Sequence, residues 1–276
     1  MRHVVSTHVF VNHRLTVAML DRVAKAGIGE VEIFCARQHI DYHNRAQIEE
    51  LAHWFRDSEL KLHSLHSPMF SDTIWGRTGP NAVISITEPD KGKRIAATDE
   101  IKRAVEIAEL IPFQYLIQHI GVGGEEYHDA KVDAAFNSLE ELALFAGHRR
   151  VEILVENIPN ALSSAERLVS FLNHTHLPVQ FVFDTGHAHI MGGVAREFGI
   201  MRERIRSTHV HDNDGENDSH LFPNQDRTGG IDWGQTMALL RSSQDRYPLL
   251  LELREVPEME HPLQEIRRVF DRLESL

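Results

Sequence analysis

The chain has 276 residues, long enough to bury a sizeable core as one large barrel or as two small domains. Its formal net charge of -12 argues against non-specific nucleic-acid binding, which needs a cationic face. A lone cysteine, Cys35, excludes an intrachain disulfide; with neither a charged leader nor a membrane-length apolar run, a cytoplasmic protein without membrane contact is expected.

Strand-like and helix-like segments alternate along the chain. Val4–Phe10 reads as a strand and Leu15–Ala26 as a helix closed by Gly27 and Gly29. Val31–Phe34 is a second strand, and Asn44 is the N-cap of a helix running to Phe55. Leu60–Leu65 is a third strand, followed by a long polar segment, Ser67–Arg94. Asp99–Leu110 is helical, with Ile101, Val105 and Ala108 on one face. Tyr115–Ile120 is strand four, Ala130–Phe145 a helix, and Val151–Val155 strand five. Ser163 or Ser164 caps the next helix. The apolar run Val179–Phe183 is strand six, buried on both faces. Val194–Arg204 is a helix and Ile205–Val210 strand seven. A polar loop leads to Ile231, and Asp232 caps a helix to Leu240. Pro248–Leu253 is strand eight and Pro262–Leu273 the closing helix. Eight strand–helix pairs without a composition break predict a single (β/α)8 barrel over residues 1–276. An open doubly wound sheet is the alternative, but Gly121-Val122-Gly123-Gly124 has Glu126 where a dinucleotide fingerprint needs its third glycine.

The chain carries 19 histidines, about three times the ordinary share, and their placement is uneven. Every predicted strand ends on a histidine or an acid. In order these are His8, Glu32, His66, His119, Glu156 with Asn157, Asp184 with His187, His209 with His211 and Asp212, and Glu252. In a barrel these tips converge on the C-terminal mouth, where barrel enzymes build their sites. Glu156, Asp184 and Glu252 crowded there would repel one another, and a divalent cation is the simplest compensation. Carboxylates mixed with imidazoles suit zinc, manganese or a similar ion better than calcium. A calcium loop at Asp212-Asn213-Asp214-Gly215 fails, because the glycine falls early and Pro223 replaces the bidentate glutamate. Asp218-Ser219-His220, further along, has ligand spacing.

With these residues the chain resembles the xylose-isomerase-like barrel superfamily, which includes sugar isomerases and epimerases, inosose dehydratases and zinc AP endonucleases. The resemblance rests on Val155-Glu156-Asn157, Phe183-Asp184-Thr185-Gly186-His187, His209-Val210-His211-Asp212, Leu250-Leu251-Glu252 and Gly229-Gly230-Ile231-Asp232-Trp233. It implies one divalent metal on Glu156, Asp184, His209 and Glu252 in the epimerase branch, with His187 contacting substrate. In the endonuclease branch it implies three zinc ions on His66, His119, Glu156, Asp184, His187, His209, Asp218, His220 and Glu252. All nine residue types are present. Gly215 stands where the epimerase branch has a substrate-binding arginine.

The first expectation is a metal-dependent sugar or sugar-phosphate isomerase or epimerase using zinc, manganese, magnesium or cobalt, with one core ion and up to three. Glu156 and Glu252 would move the proton through a metal-stabilised enediolate. His8, His187 and Trp75 would contact a small sugar substrate. The Ser67–Arg94 segment, with Trp75, Arg77, Lys91, Lys93 and Arg94, would close over it. A zinc phosphoesterase of the AP endonuclease type and a non-catalytic metal and sugar binder are the alternatives. No nucleic-acid partner is expected, and homo-oligomerisation is left open.

Overall fold

Eight apolar runs, each leading into a polar residue, form one parallel sheet curled into a (β/α)8 barrel in the computed structural model, which describes residues 1–74, 82–242 and 247–276. The strands are β1 (His3–Ser6), β2 (Glu30–Phe34), β3 (Lys61–His66), β4 (Tyr115–His119), β5 (Glu152–Glu156), β6 (Gln180–Asp184), β7 (Ile205–His209) and β8 (Leu249–Leu251). Strands β1 to β7 pair in sequence order and β8 pairs with β1. The seam between β7 and β8 is closed by a parallel bridge, Val210 to Leu251, with the Val210 amide donating to the Leu250 carbonyl at 2.8 Å. The helices are α1 (Val17–Lys25), α2 (Arg45–Arg56), α3 (Lys91–Val105), α4 (Asp129–Gly147), α5 (Ala165–Asn173), α6 (Thr185–Ile190), α7 (Val194–Met201), α8 (Trp233–Arg241) and α9 (Pro262–Ser275).

The period-two alternation of each strand builds the site. Phe181 and Phe183 of β6, with Ile153 and Val155 of β5, belong to the large core between strands and helices. Tyr115, Ile117, Leu154 and Val182 form a separate small cluster inside the barrel. Two residues beyond Ile117, Leu154 and Val182 stand His119, Glu156 and Asp184. The apolar plug is thus followed on the same inward face by polar side chains. Two register shifts adjust the remaining strands. Val31 pairs with Leu62 but Glu32 with Ser64, leaving His63 as an extra residue, and Phe181 pairs with Ile205 but Val182 with Ser207, leaving Arg206. Such bulges re-aim the side chains that follow, here His66 and His209.

Several boundaries differ from expectation. The run Val4–Phe10 splits, because β1 stops at Ser6 and Thr7–Phe10 form a 3-10 turn. Ser6 Oγ accepts from the His8 amide and Thr7 Oγ1 from the Phe34 amide, so side-chain oxygens replace ladder bonds. Thr16, not Leu15, opens α1 by accepting from the Met19 amide. Helix α3 starts eight residues before Asp99, capped by Asp90, which accepts from the Lys93 amide. Lys91, Lys93 and Arg94 therefore lie in its first turn rather than on a loop, and Arg94 donates to the Glu88 and Pro89 carbonyls. Trp75 and Arg77 lie outside the described residues. Helix α7 ends at Met201, and the short α6 before it was not expected; Asp184 caps it. Asn44, Ser164 and Asp232 cap their helices as expected.

The loop after β7 is organised by one buried carboxylate. Asp212 Oδ1 accepts from the amides of Asn213 and Ile231, and Oδ2 from the Asn224 amide, Arg227 Nε and Trp233 Nε1. Asp212 also exchanges both backbone bonds with Leu221 at 2.8 Å. This folds the 213–220 segment back over the mouth. His220 takes a left-handed φ of 44°, and the Arg254 amide donates to its carbonyl. A buried hydrogen-bonding group left unpaired costs about 1–3 kcal/mol. Asp212→Ala, which strands several donors, is expected to lower urea-unfolding stability by about 3 kcal/mol. A loss under about 1 kcal/mol would show that the loop holds itself without this carboxylate.

Candidate metal centre

Three groups of side chains at the mouth each bring ligand atoms within 4.8 Å of one another: Glu156, Asp184, His209 and Glu252; His66, His119 and Glu156; His187, His211, Asp218 and His220. Strand register explains the convergence. His119 pairs with Glu156 and Asp184 with His209 across neighbouring strands. All nine residues expected as ligands fall into these groups. Asp184 does double duty, since its Oδ1 also accepts from the His187 amide at 2.6 Å.

Glu156 joins the first two groups. Its Oε2 lies 3.0 Å from His119 Nε2 and 3.7 Å from His66 Nε2, while Oε1 lies 2.9 Å from His209 Nδ1. His209 Nδ1 is also 3.2 Å from Glu252 Oε2. In the third group His187 Nε2 is 3.1 Å from Asp218 Oδ2, and His220 Nε2 is 3.3 Å from Asp218 Oδ1.

Each of four rings offers its second nitrogen to a backbone carbonyl, which must receive an N–H. His66 Nδ1 donates to Ser67, His187 Nδ1 to Asn157, His220 Nδ1 to Glu252 and His211 Nδ1 to Asp212. His209 uses Nε2 toward Glu32, at 3.3 Å, and Glu32 is itself held by the Ser64 hydroxyl at 2.7 Å. When each ring is neutral, this leaves its cluster-facing nitrogen as a lone pair, the arrangement that a metal-ligating histidine needs. Among the described residues, buried Asp184 Oδ2, Glu252 Oε1 and His211 Nε2 have no hydrogen-bond partner. Orphaned acceptors in a carboxylate–imidazole set fit a divalent cation.

Without a cation the charge must be balanced by protons. Burial opposes ionisation of His209, yet Glu252 and Glu156 beside it hold it well above its ordinary range. Burial likewise opposes His187, which Asp184 and Asp218 raise. His220 is raised to about 9, against burial, by its Asp218 hydrogen bond and the Glu252 carboxylate. Burial would lift Glu156, but His209 and His119 pull it well below the carboxylate range. His119 itself is lowered, chiefly by burial.

Two further residues of the constellation take part in the centre. Glu32 orients His209, and His211 joins the third group; the signal was the alternation of His209 and His211, which puts both on one side of the chain. His8, expected to touch substrate, sits outside all three groups with its ring 4.9 Å from that of His220 and 4.8 Å from Phe34.

Fold and site together define a (β/α)8 barrel with a histidine–carboxylate centre able to hold divalent metal at its C-terminal mouth. The family model described as xylose isomerase-like TIM barrel matches residues 20–276, and the chain belongs to that family. The uncharacterized protein y4fM of Sinorhizobium fredii is 22% identical over 225 residues, 75% of this chain and 71% of that one. Among solved structures, a D-tagatose 3-epimerase-like protein superposes with a TM-score of 0.79 at 20% identity, covering 100% of this chain and 97% of its own. IolI with a bound zinc atom gives 0.78 at 17% identity, covering 100% and 98%. Among the described residues, no helix is long and apolar enough to cross a membrane.

The metal-free and metal-loaded chains are expected to respond oppositely to pH. A histidine raised in the folded state stabilises fully below its unfolded value, about 6.5, and loses this as pH climbs through the folded value, about 9 for His220. Lowered carboxylates such as Glu156 and Asp184 stabilise above about pH 4 and lose this on acidification. The metal-free chain should therefore melt progressively lower between pH 6.5 and 9. A bound cation displaces the histidine protons and is held more tightly as pH rises. The gap in Tm between zinc-loaded and EDTA-treated protein should widen from pH 6 to pH 9. A gap that stays constant or narrows would mean that these histidines are not titrating against a bound ion.

Proposed function

We propose that this chain is a zinc-dependent hydrolase of small phosphate esters, working with up to three divalent ions at the barrel mouth. One observation carries the reading: both oxygens of Glu156 are engaged, Oε2 toward His119 and His66 and Oε1 toward His209. Proton transfer by Glu156, the first expectation, is best served by an oxygen that no neighbouring imidazole claims. The imidazoles of His66 and His119 make it a bridge between two groups instead. Such ions, when bound, polarise a phosphoryl oxygen and stabilise the attacking and leaving oxygens. The chain's own part is to hold its ligands in register. Backbone carbonyls and Glu32 fix the rings, and Asp212 fixes the loop bearing Asp218 and His220. His8, whose ring lies 4.9 Å from that of His220, would contact a bound ester. Three imidazoles with one carboxylate in the third group favour zinc over magnesium. The net charge of -12 favours a small substrate over a nucleic-acid backbone.

The loop chemistry supports the same choice. Gly215 has a φ of +84°, and a Cβ there would lie 3.3 Å from His189 Nε2. An arginine at this position would be strained, so this loop is not built to carry the epimerase branch's substrate contact.

A sugar isomerase or epimerase is the second reading. It is favoured by the four-residue group of Glu156, Asp184, His209 and Glu252, which is a complete site for one ion. The likeness in fold to a D-tagatose 3-epimerase-like protein agrees with it. There Glu156 and Glu252 would carry the proton, with a sugar as substrate.

His66→Ala separates the two. In the hydrolase it should release one zinc per chain and cut hydrolysis of bis-p-nitrophenyl phosphate on the order of a hundredfold. The core ion should stay. One ion per wild-type chain, turnover of a keto-sugar and indifference to His66→Ala would establish the isomerase instead.

A further inference from the structure

His211 is fully buried just beyond β7, where it stands in the third group. Its Nδ1 faces the Asp212 carbonyl at 3.4 Å, so in the tautomer that donates this bond Nε2 carries the lone pair. That atom lies 3.1 Å from Asp184 Oδ1 and 3.8 Å from Asp218 Oδ1 without a hydrogen bond to either. The His211 ring stacks on His220 with centroids 4.0 Å apart and planes 20° from parallel. Its ligand atom falls within the same 4.8 Å group as those of His187, Asp218 and His220. A buried nitrogen acceptor aimed at two carboxylates is repelled by both unless a proton or a metal cation lies among them.

The seat of this ring is made by one missing atom. A Cβ on Gly186 would stand 2.0 Å from His211 Cε1 and 2.4 Å from Nδ1. Gly186 lies in a short helix where alanine would otherwise be accepted, so the glycine is explained by the ring and not by the backbone.

We propose that His211 is the fourth protein ligand of an ion held by His187, Asp218 and His220, which makes that ion a closed staple between loop and barrel. The inference rests on the three-ion reading and deepens it. Four protein ligands complete a tetrahedral zinc site, whereas three leave a position for water or substrate. His187 belongs to α6, directly after β6, and His211 follows the end of β7; Asp218 and His220 belong to the loop folded over them. The ion cross-links the two and holds the loop over the mouth. The group of His66, His119 and Glu156, with three protein ligands, keeps the open position. Chemistry is therefore assigned to the Glu156 side of the mouth, and order to the His211 side.

The test uses the full chain, zinc-loaded and desalted, with metal content, competitive chelation and limited proteolysis as readouts. Wild type should hold three zinc ions. His211→Ala should keep two tightly, weaken the third at least about a hundredfold and expose the 213–220 segment to protease. Gly186→Ala, which removes no ligand, should do the same by displacing the ring, and adding it to His211→Ala should change nothing further. Cobalt in the third site of wild type should give the intense visible absorption of a four-coordinate ion, a readout that needs no variant. Three ions held with unchanged affinity in His211→Ala, or a weak five- or six-coordinate cobalt spectrum, would overturn the fourth ligand while leaving three ions in place. Fewer than three ions in wild type would overturn the three-ion reading and this inference with it.

Discussion

The buried carboxylates Glu32, Glu156, Asp184 and Glu252 share one barrel mouth, and positive charge must meet them there. Three are fully buried and Glu252 is nearly so. Burying unpaired ionised carboxylates is among the most expensive things a fold can do. The chain supplies imidazoles as the counter-charge, since a histidine can take a proton or give its lone pair to a metal at accessible pH. The mouth is therefore built so that a proton and a divalent cation would compete for the same nitrogens. Its second ring nitrogens, bonded to carbonyls or to Glu32, keep the orientation the same in either state.

Precision comes from features remote from the ligands. Without the extra residue at His63, the inward parity of β3 would not bring Ser64 opposite Glu32 and His66 to the mouth. His63 itself serves the barrel floor, where Nε2 meets Ser207 Oγ at 3.2 Å and Nδ1 meets Glu30 at 3.0 Å. That trio has the residue types of a hydrolytic triad, but Ser207 is wholly buried beneath the apolar plug. It satisfies polar groups in the core and has no path to a substrate. Access, more than residue type, separates the floor of this barrel from its mouth.

The barrel was legible because strands buried on both faces read as apolar runs ended by turn signals, and because each ended on a chemically distinctive side chain. The convergence of these side chains at the mouth was legible for the same reason. What escaped the sequence was local competition between side chain and backbone. Ser6 and Thr7 cut β1 short, Asp90 started α3 early, and Asp184 opened a helix that periodicity over six residues cannot register. Glu32 and His211 were visible at strand ends, but their roles depend on which ring nitrogen faces which oxygen. Spacing along a chain does not encode that. The cradle at Gly186 was invisible too, since a glycine between Thr185 and His187 reads as a turn until the ring of His211 is set beside it.

One carboxylate placed between two groups changes what a shared fold can do. A glutamate with one oxygen free is well placed to hold and return a proton; with both oxygens claimed by imidazoles it is better suited to hold charge in place. In the hydrolase reading the difference on this barrel is made by His66 and His119, at the tips of β3 and β4, and not by Glu156 itself. The same residue at the same strand end can then serve proton transfer in one barrel and ligand bridging in another. Reaction class in such a site is decided by the neighbours that claim the second oxygen, and a motif containing only the glutamate is silent on which reaction follows.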